Sequence, residues 1–113
     1  LLRKPFTLPL IEGEKVLISY TASYDAGSSV FSSWRLGNLY LTTKRLLFVQ
    51  VRRVLFQIPL REIQKMEIVK RGWILGKKVG QLCICWDSRQ ARRVFIAVRN
   101  PQSWKETVES LIG

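Results

Sequence analysis

The sequence predicts a mainly β fold in which seven short antiparallel strands are capped by one C-terminal α-helix. Apolar and polar residues alternate in seven short stretches, and turn-forming residues separate these stretches. Only the last part of the chain, after Asn100, has the spacing of an amphipathic helix. Strands and helices do not alternate, which excludes a parallel α/β sheet. We therefore expect two bent sheets packed face to face, as a β-sandwich or partly open barrel, with the helix over one open end.

Four strands are predicted in the first half of the chain. They follow a lead-in of residues 1–13, where prolines interrupt regular structure. A long loop rich in Gly and Ser, from Tyr24 to Ser33, separates the first strand from the second. The polar turn from Thr42 to Arg45 joins the second strand to the third and carries two cations at its tip. Arg52-Arg53 then marks the turn into the fourth strand.

Three more strands and the helix are predicted in the second half. A loop with three glycines, from Arg71 to Gly80, precedes the sixth strand, and a turn from Asp87 to Ala91 follows it. Asn100 is a suitable helix cap, Pro101 suits the first helical position, and Trp104 is the main apolar anchor of the helix. The seven predicted strands are residues 15–23, 34–41, 45–51, 54–60, 63–70, 81–86 and 92–98.

Three segments of this pattern resemble a known family. The resemblance rests on Gly37-Asn38-Leu39-Tyr40-Leu41-Thr42-Thr43-Lys44-Arg45-Leu46-Leu47-Phe48, on Phe56-Gln57-Ile58-Pro59-Leu60-Arg61-Glu62-Ile63 and on Arg99-Asn100-Pro101-Gln102-Ser103-Trp104. From about Gly13 onward the chain resembles the pleckstrin-homology (PH) superfold, and within it the GRAM-like and bacterial PH-like domains. The resemblance implies one such domain at residues 14–113. It also implies binding of phosphoinositides, peptides or other proteins, or a role in holding larger assemblies together.

The resemblance further implies that loops gather at two ends of the domain, and two basic surfaces follow from this. The familiar inositol-phosphate site takes bases from the first inter-strand loop, but residues 24–33 contain neither Lys nor Arg. The first predicted surface, for an anionic headgroup, comprises Arg35, Arg52, Arg53, Arg89, Arg92 and Arg93. The second, for membrane contact at the opposite end, comprises Lys44, Arg45, Lys70, Arg71, Trp73, Lys77 and Lys78.

The second surface has an apolar tip, Trp73-Ile74-Leu75, between pairs of bases. Trp favours the membrane interface, and flanking bases favour acidic headgroups, so the tip is a candidate for insertion. The alternative is that Trp73 and Leu75 fold back onto the core.

The net charge of +11 comes from 19 Lys and Arg against 8 Asp and Glu, and it favours anionic partners. The predicted function is a non-catalytic module that docks a larger protein to an anionic membrane surface. The alternative is an interaction domain for an acidic or peptide partner. Nucleic acid ranks below both, because the motifs of the usual single-strand and duplex readers are missing from the sequence.

The sequence offers little for catalysis. It contains no His, which excludes His-assisted nucleophiles and His metal ligation. Cys83 and Cys85 share one face of a strand and are badly oriented for a mutual disulfide, so both are predicted as reduced, small, buried or half-buried residues. We expect no enzymatic activity, cofactor, metal or small-molecule substrate. No apolar run approaches the ~20 residues of a spanning helix, and we expect a cytoplasmic location that includes the membrane periphery.

Overall fold

The computed structural model describes residues 7–27, 33–73 and 76–112, and these residues form seven antiparallel strands and one α-helix. A 3₁₀ turn at Leu60–Glu62 joins the fourth strand to the fifth, and the helix α1 (Pro101–Ile112) follows the last strand. The strands are β1 (Val16–Asp25), β2 (Trp34–Thr42), β3 (Arg45–Gln50), β4 (Arg53–Pro59), β5 (Ile63–Gly72), β6 (Lys78–Asp87) and β7 (Ala91–Val98). The predicted fold class, mainly β with one C-terminal helix, is confirmed.

All seven strands belong to one sheet, in the order β4-β3-β2-β1-β7-β6-β5. β1 pairs with β2 from Val16 to Asp25, and it pairs with β7 only through Ala22, Ser23 and Tyr24. The two sheets expected from the sequence are therefore two halves of a single sheet. They are joined because the end of β1 has a strand neighbour on both sides.

The two halves of the sheet close over one hydrophobic core. Phe48 and Ile58 of the first half and Ile84 of the second are fully buried in the same cluster. The helix contacts β5, β6 and the 3₁₀ turn, and it adds Trp104 and Val108 to that cluster. The predicted role of Trp104 as the helix anchor is confirmed, because this side chain is 3% exposed.

Two predicted loops are shorter than expected. β1 continues to Asp25, and residues 28–32 of the first loop lie outside the described residues. β5 and β6 pair as far as Gly72 and Lys78, so five of the ten residues of the predicted loop from Arg71 to Gly80 lie in strands. The glycines indicated a break, but backbone pairing between the two strands outweighs their low strand propensity. Arg53, predicted in a turn, is the first residue of β4.

The β3–β4 turn contains a strained residue, Val51, whose φ of 56° lies in the left-handed region. A side chain in that region costs about 1–2 kcal/mol, and Gly is favoured where a two-residue hairpin turn needs a positive φ. We expect Val51→Gly to raise the free energy of unfolding by about 1 kcal/mol in urea denaturation. Gly13→Ala is the converse control, because Gly13 has a φ of 81° and an added Cβ would meet nothing within 4 Å. The backbone strain alone should lower the free energy of unfolding of this variant by about 1 kcal/mol. A lower stability of Val51→Gly would contradict this account of the turn.

Candidate functional site

A basic cleft of about 590 Å³ opens between the β2–β3 turn, the end of β4 and the β6–β7 turn. Phe56 and Trp86 supply aromatic walls, and Glu62 supplies a carboxylate. The four bases that line this basic cleft are Lys44, Arg45, Arg61 and Arg92. Three separate segments of the chain thus bring positive charge to one cavity.

Local hydrogen bonds hold the β2–β3 turn at the rim of the basic cleft. The Thr42 hydroxyl accepts backbone N–H groups from Lys44 at 3.1 Å and from Arg45 at 3.0 Å. The backbone N–H of Leu60 donates to the Lys44 carbonyl oxygen at 3.0 Å, which ties the turn to the 3₁₀ turn that carries Arg61. These bonds fix the backbone from which two of the four bases project.

The β6–β7 turn reaches the same cavity through strand pairing. Trp86 lies opposite Ile63 on one side and opposite Arg92 on the other. Because Ile63 directly follows the 3₁₀ turn, this register places Arg92 next to the segment that holds Arg61.

Arg45 is occupied by contacts within the chain. Its Nε donates to Glu14 Oε2 at 2.9 Å, and a terminal nitrogen donates to Glu14 Oε1 at 3.0 Å and to the Pro9 carbonyl at 2.7 Å. Its other terminal nitrogen donates to the Gln57 side chain. Lys44, Arg61 and Arg92 are the exposed bases of the basic cleft.

The buried partner of Arg45 is a strongly stabilised carboxylate. The hydrogen bond from Arg45 lowers the pKa of Glu14 from 4.5 to about 2, although burial opposes this shift. The Thr42 hydroxyl and the Ile11 backbone N–H also donate to this carboxylate. The ion pair thus ties residues 9–14 to the β2–β3 turn.

The structure does not bring the first predicted surface together. Arg35 lies opposite Tyr24 at the start of β2. Arg53 lies opposite Gln50, beside the β3–β4 turn that contains Arg52. These three bases are at the end of the strands that is away from the basic cleft. Arg92 instead lines the basic cleft, and Arg89 lies in the adjacent β6–β7 turn. Arg93 lies 5.1 Å from the centre of the Phe95 ring. The predicted convergence fails because the β6–β7 turn lies beside the end of β4.

The second predicted surface is also divided, because Lys44 and Arg45 belong to the basic cleft. Lys70, Lys77 and Lys78 are exposed on the β5–β6 hairpin. Arg71 donates to Asp25 at 3.2 Å and to Gln81 at 3.0 Å, and it lies 3.8 Å from the centre of the Phe95 ring. These contacts hold the Arg71 side chain against the sheet.

Trp73 folds back, as the alternative interpretation predicted. Its indole N–H donates to the Ser23 hydroxyl at 2.9 Å. The remaining residues of the predicted apolar tip, Ile74 and Leu75, lie outside the described residues.

Sequence reasoning missed Arg61, Phe56 and Trp86 as residues of the basic cleft. Phe56 and Trp86 lie in predicted strands, and the alternation of a strand says nothing about a cavity between non-adjacent strands. The signal for Arg61 is its position two residues after Pro59, because a proline marks a strand end or an edge strand.

Other reactive groups in the described part of the chain offer little chemistry. Cys83 and Cys85 are not bridged, and burial raises the pKa of the Cys83 thiol, which disfavours the nucleophilic thiolate. No group of three or more His, Cys, Asp or Glu side chains within the described residues is arranged to hold a metal ion. Among the same residues, no helix has the length and apolar character needed to cross a bilayer.

Comparisons with known proteins show the fold alone. No protein-family model matches the chain, and no curated protein matches it. Among solved structures, the chain is similar to the hSac2 domain from the human phosphoinositide phosphatase Sac2, with 20% sequence identity and a TM-score of 0.61. The match covers 90% of this chain and 73% of that one. It supports a shared arrangement of strands and helix, and it transfers no residue of the site.

Proposed function

We propose that this chain is a PH-like module of the GRAM type that docks a larger protein to an anionic membrane at the cytoplasmic surface. The basic cleft carries the proposal, because Lys44, Arg61 and Arg92 come from three segments and line one cavity of about 590 Å³. The fold likeness to a domain of a phosphoinositide phosphatase supports a lipid context.

The side chains of the basic cleft suit a phosphorylated headgroup that also carries hydroxyl groups. The guanidinium groups of Arg61 and Arg92 each offer two parallel hydrogen bonds to a phosphate, and Lys44 adds a point charge. The carboxylate of Glu62 is an acceptor for hydroxyl groups. The volume of the basic cleft, about 590 Å³, falls within the ~300–1,000 Å³ usual for small-ligand pockets.

The expected contribution of these bases is measurable. Each base near an anionic surface contributes about 1 kcal/mol, so the three exposed bases contribute about 3 kcal/mol at low salt. Since about 1.4 kcal/mol corresponds to a tenfold change in affinity, their loss should weaken binding about 100-fold. Screening by salt should reduce the same contribution.

The test is sedimentation with vesicles of phosphatidylcholine alone, with added phosphatidylserine, and with added phosphoinositide, each at two salt concentrations. We expect the wild-type chain to sediment with anionic vesicles and to be released by salt. The triple variant Lys44→Gln, Arg61→Gln, Arg92→Gln should bind about 100-fold more weakly at low salt. The matched control Lys70→Gln, Lys77→Gln, Lys78→Gln removes the same charge from the β5–β6 hairpin and should lose less than about threefold.

Two results would count against the proposal. Equal losses in the two triple variants would assign the binding to overall charge rather than to the basic cleft. If the wild-type chain is not retained by any anionic vesicle at low salt, membrane docking itself is wrong.

A further inference from the structure

One edge of β1 is open along most of its length. On the β7 side, β1 pairs only through Ala22, Ser23 and Tyr24, because β7 ends at Val98. In the described part of the chain, residues 16–21 of β1 therefore have no strand partner on that side. Val16, Leu17 and Tyr20, which lie along this part of β1, are 42%, 45% and 46% exposed. An exposed, unpaired strand edge is a template for an added strand.

An apolar cavity of about 350 Å³ lies where this open edge meets the end of β7. Its walls include Thr21, Leu36, Val79 and Val98, and Leu36 is 62% exposed. The Trp73 ring forms a further wall, and its hydrogen bond to Ser23 fixes its position. The open edge thus ends at a preformed site for an apolar side chain.

Charge around this apolar cavity selects among possible occupants. Arg99 lines it, is exposed, and donates to the Tyr20 hydroxyl at 3.3 Å. Lys77 and Lys78 directly precede the Val79 wall, and no acidic residue is among the described residues that line the cavity. The surroundings therefore favour an occupant that carries both apolar and negatively charged groups.

We infer that the open edge of β1 binds an extended acidic peptide segment of a partner protein as an added strand. One apolar side chain of the peptide fills the apolar cavity, and a neighbouring carboxylate pairs with Arg99. A peptide fits better than a lipid tail, because a peptide can pair with those backbone N–H and C=O groups of residues 16–21 that are directed away from β2, and an acyl chain cannot. Those six residues span about 20 Å, the length of an ordinary strand. This site goes beyond membrane docking, since its apolar cavity shares no lining residue with the basic cleft.

The probe is an array of fluorescein-labelled nonapeptides in which Glu alternates with Val, except that the central fifth residue is varied. Binding to the full chain is measured by fluorescence anisotropy, and the Trp73 indole N–H resonance reports occupancy of the apolar cavity. We expect peptides with a central Leu, Ile or Met to bind at least about tenfold more tightly than the peptide with a central Ser, because the apolar side chain is buried.

Backbone methylation of the best peptide tests whether it adds as a strand. Because alternate residues of a strand direct their N–H groups to opposite sides, methylating one alternate set of amides should cost at least about tenfold. Methylating the other set should cost less than about threefold. Equal tolerance of both sets, or equal loss from both, would overturn strand addition.

Two variants of matched chemistry locate the site. Leu36→Glu places an acid beside the apolar cavity and should weaken the best peptide at least about tenfold, while Val51→Glu makes the same change at the β3–β4 turn and should leave it unchanged. Both original side chains are exposed, so both variants should fold. Equal weakening by the two, or no binding by any peptide of the array, would overturn the inference. The inference would also be overturned if dodecanoate shifts the Trp73 indole N–H resonance and no peptide does. The apolar cavity would then be assigned to an acyl chain.

Discussion

Gly37→Ala should lower the free energy of unfolding by about 3 kcal/mol, although it adds only one methyl group. A Cβ at this position in β2 would overlap the carbonyl oxygen of Val49 and would lie 2.8 Å from Cε1 of Phe48. The Val49 oxygen belongs to the paired backbone of β3. Phe48 is fully buried between its neighbours, with the Tyr24 ring 4.8 Å away and the Phe56 ring 5.6 Å away. Neither obstacle moves without disturbing the core.

Gly72→Ala is the matched control for this substitution. Gly72 also lies in a strand, but an added Cβ there meets nothing within 4 Å. Its stability should change by less than about 0.5 kcal/mol. Urea denaturation followed by Trp fluorescence measures both variants. If Gly37→Ala is within about 1 kcal/mol of Gly72→Ala, the close approach of β2 and β3 is not a constraint on the fold.

Glu14→Gln should cost about 3 kcal/mol at pH 7, and the cost should shrink as the pH falls towards 2. The Glu14 side chain is buried, so its loss of charge leaves the Arg45 guanidinium without its ionic partner. The pKa of Glu14 is about 2 in the folded state against 4.5 ordinarily, so the unfolded chain binds more protons between these values. The contribution of the Glu14 carboxylate to the free energy of unfolding is therefore fully present above pH 4.5, and it is lost as the pH falls through about 2. This shift corresponds to about 3 kcal/mol.

The exposed Glu12 provides the control for Glu14. Glu12→Gln removes a carboxylate two positions away and should change stability by less than about 0.5 kcal/mol. Free energies of unfolding measured from pH 7 to pH 2 for the wild type and both variants give the comparison. Parallel curves for the wild type and Glu14→Gln would mean that the Glu14 carboxylate does not gain its stability from Arg45.

The strands and the helix were largely predictable because their signals are local. The turn from Thr42 to Arg45 predicted the β2–β3 hairpin almost to the residue, and Pro101 predicted the first residue of the helix. The pairing of β1 with β7 had no such signal. Ala22, Ser23 and Tyr24 continue the same alternation as the rest of β1, and only contact with a distant strand distinguishes them.

The candidate site was less predictable, because a count of bases does not show which bases are already paired. Arg45 and Arg71 were predicted as membrane contacts, yet Glu14 and Asp25, both distant in sequence, hold their charges within the fold. Arg92 was assigned to the wrong group of loops, since the position of the β6–β7 turn depends on the register of β6 against β5. Contacts between residues distant in sequence therefore decide both which bases are paired and where the β6–β7 turn lies.

The short pairing of β1 with β7 also determines how the chain can fold. Every other strand pair in the described sheet joins consecutive strands, whose contacts form with little loss of loop entropy. The β1–β7 pair joins residues 72 to 76 positions apart, from Tyr24 with Ile96 to Ala22 with Val98, so it forms at the largest entropic cost. Two hairpin arrays can therefore assemble separately, β1 to β4 and β5 to β7, before they are joined. We therefore expect the docking of Ala22, Ser23 and Tyr24 onto β7 to be a late step of folding, in which only three residues close the sheet.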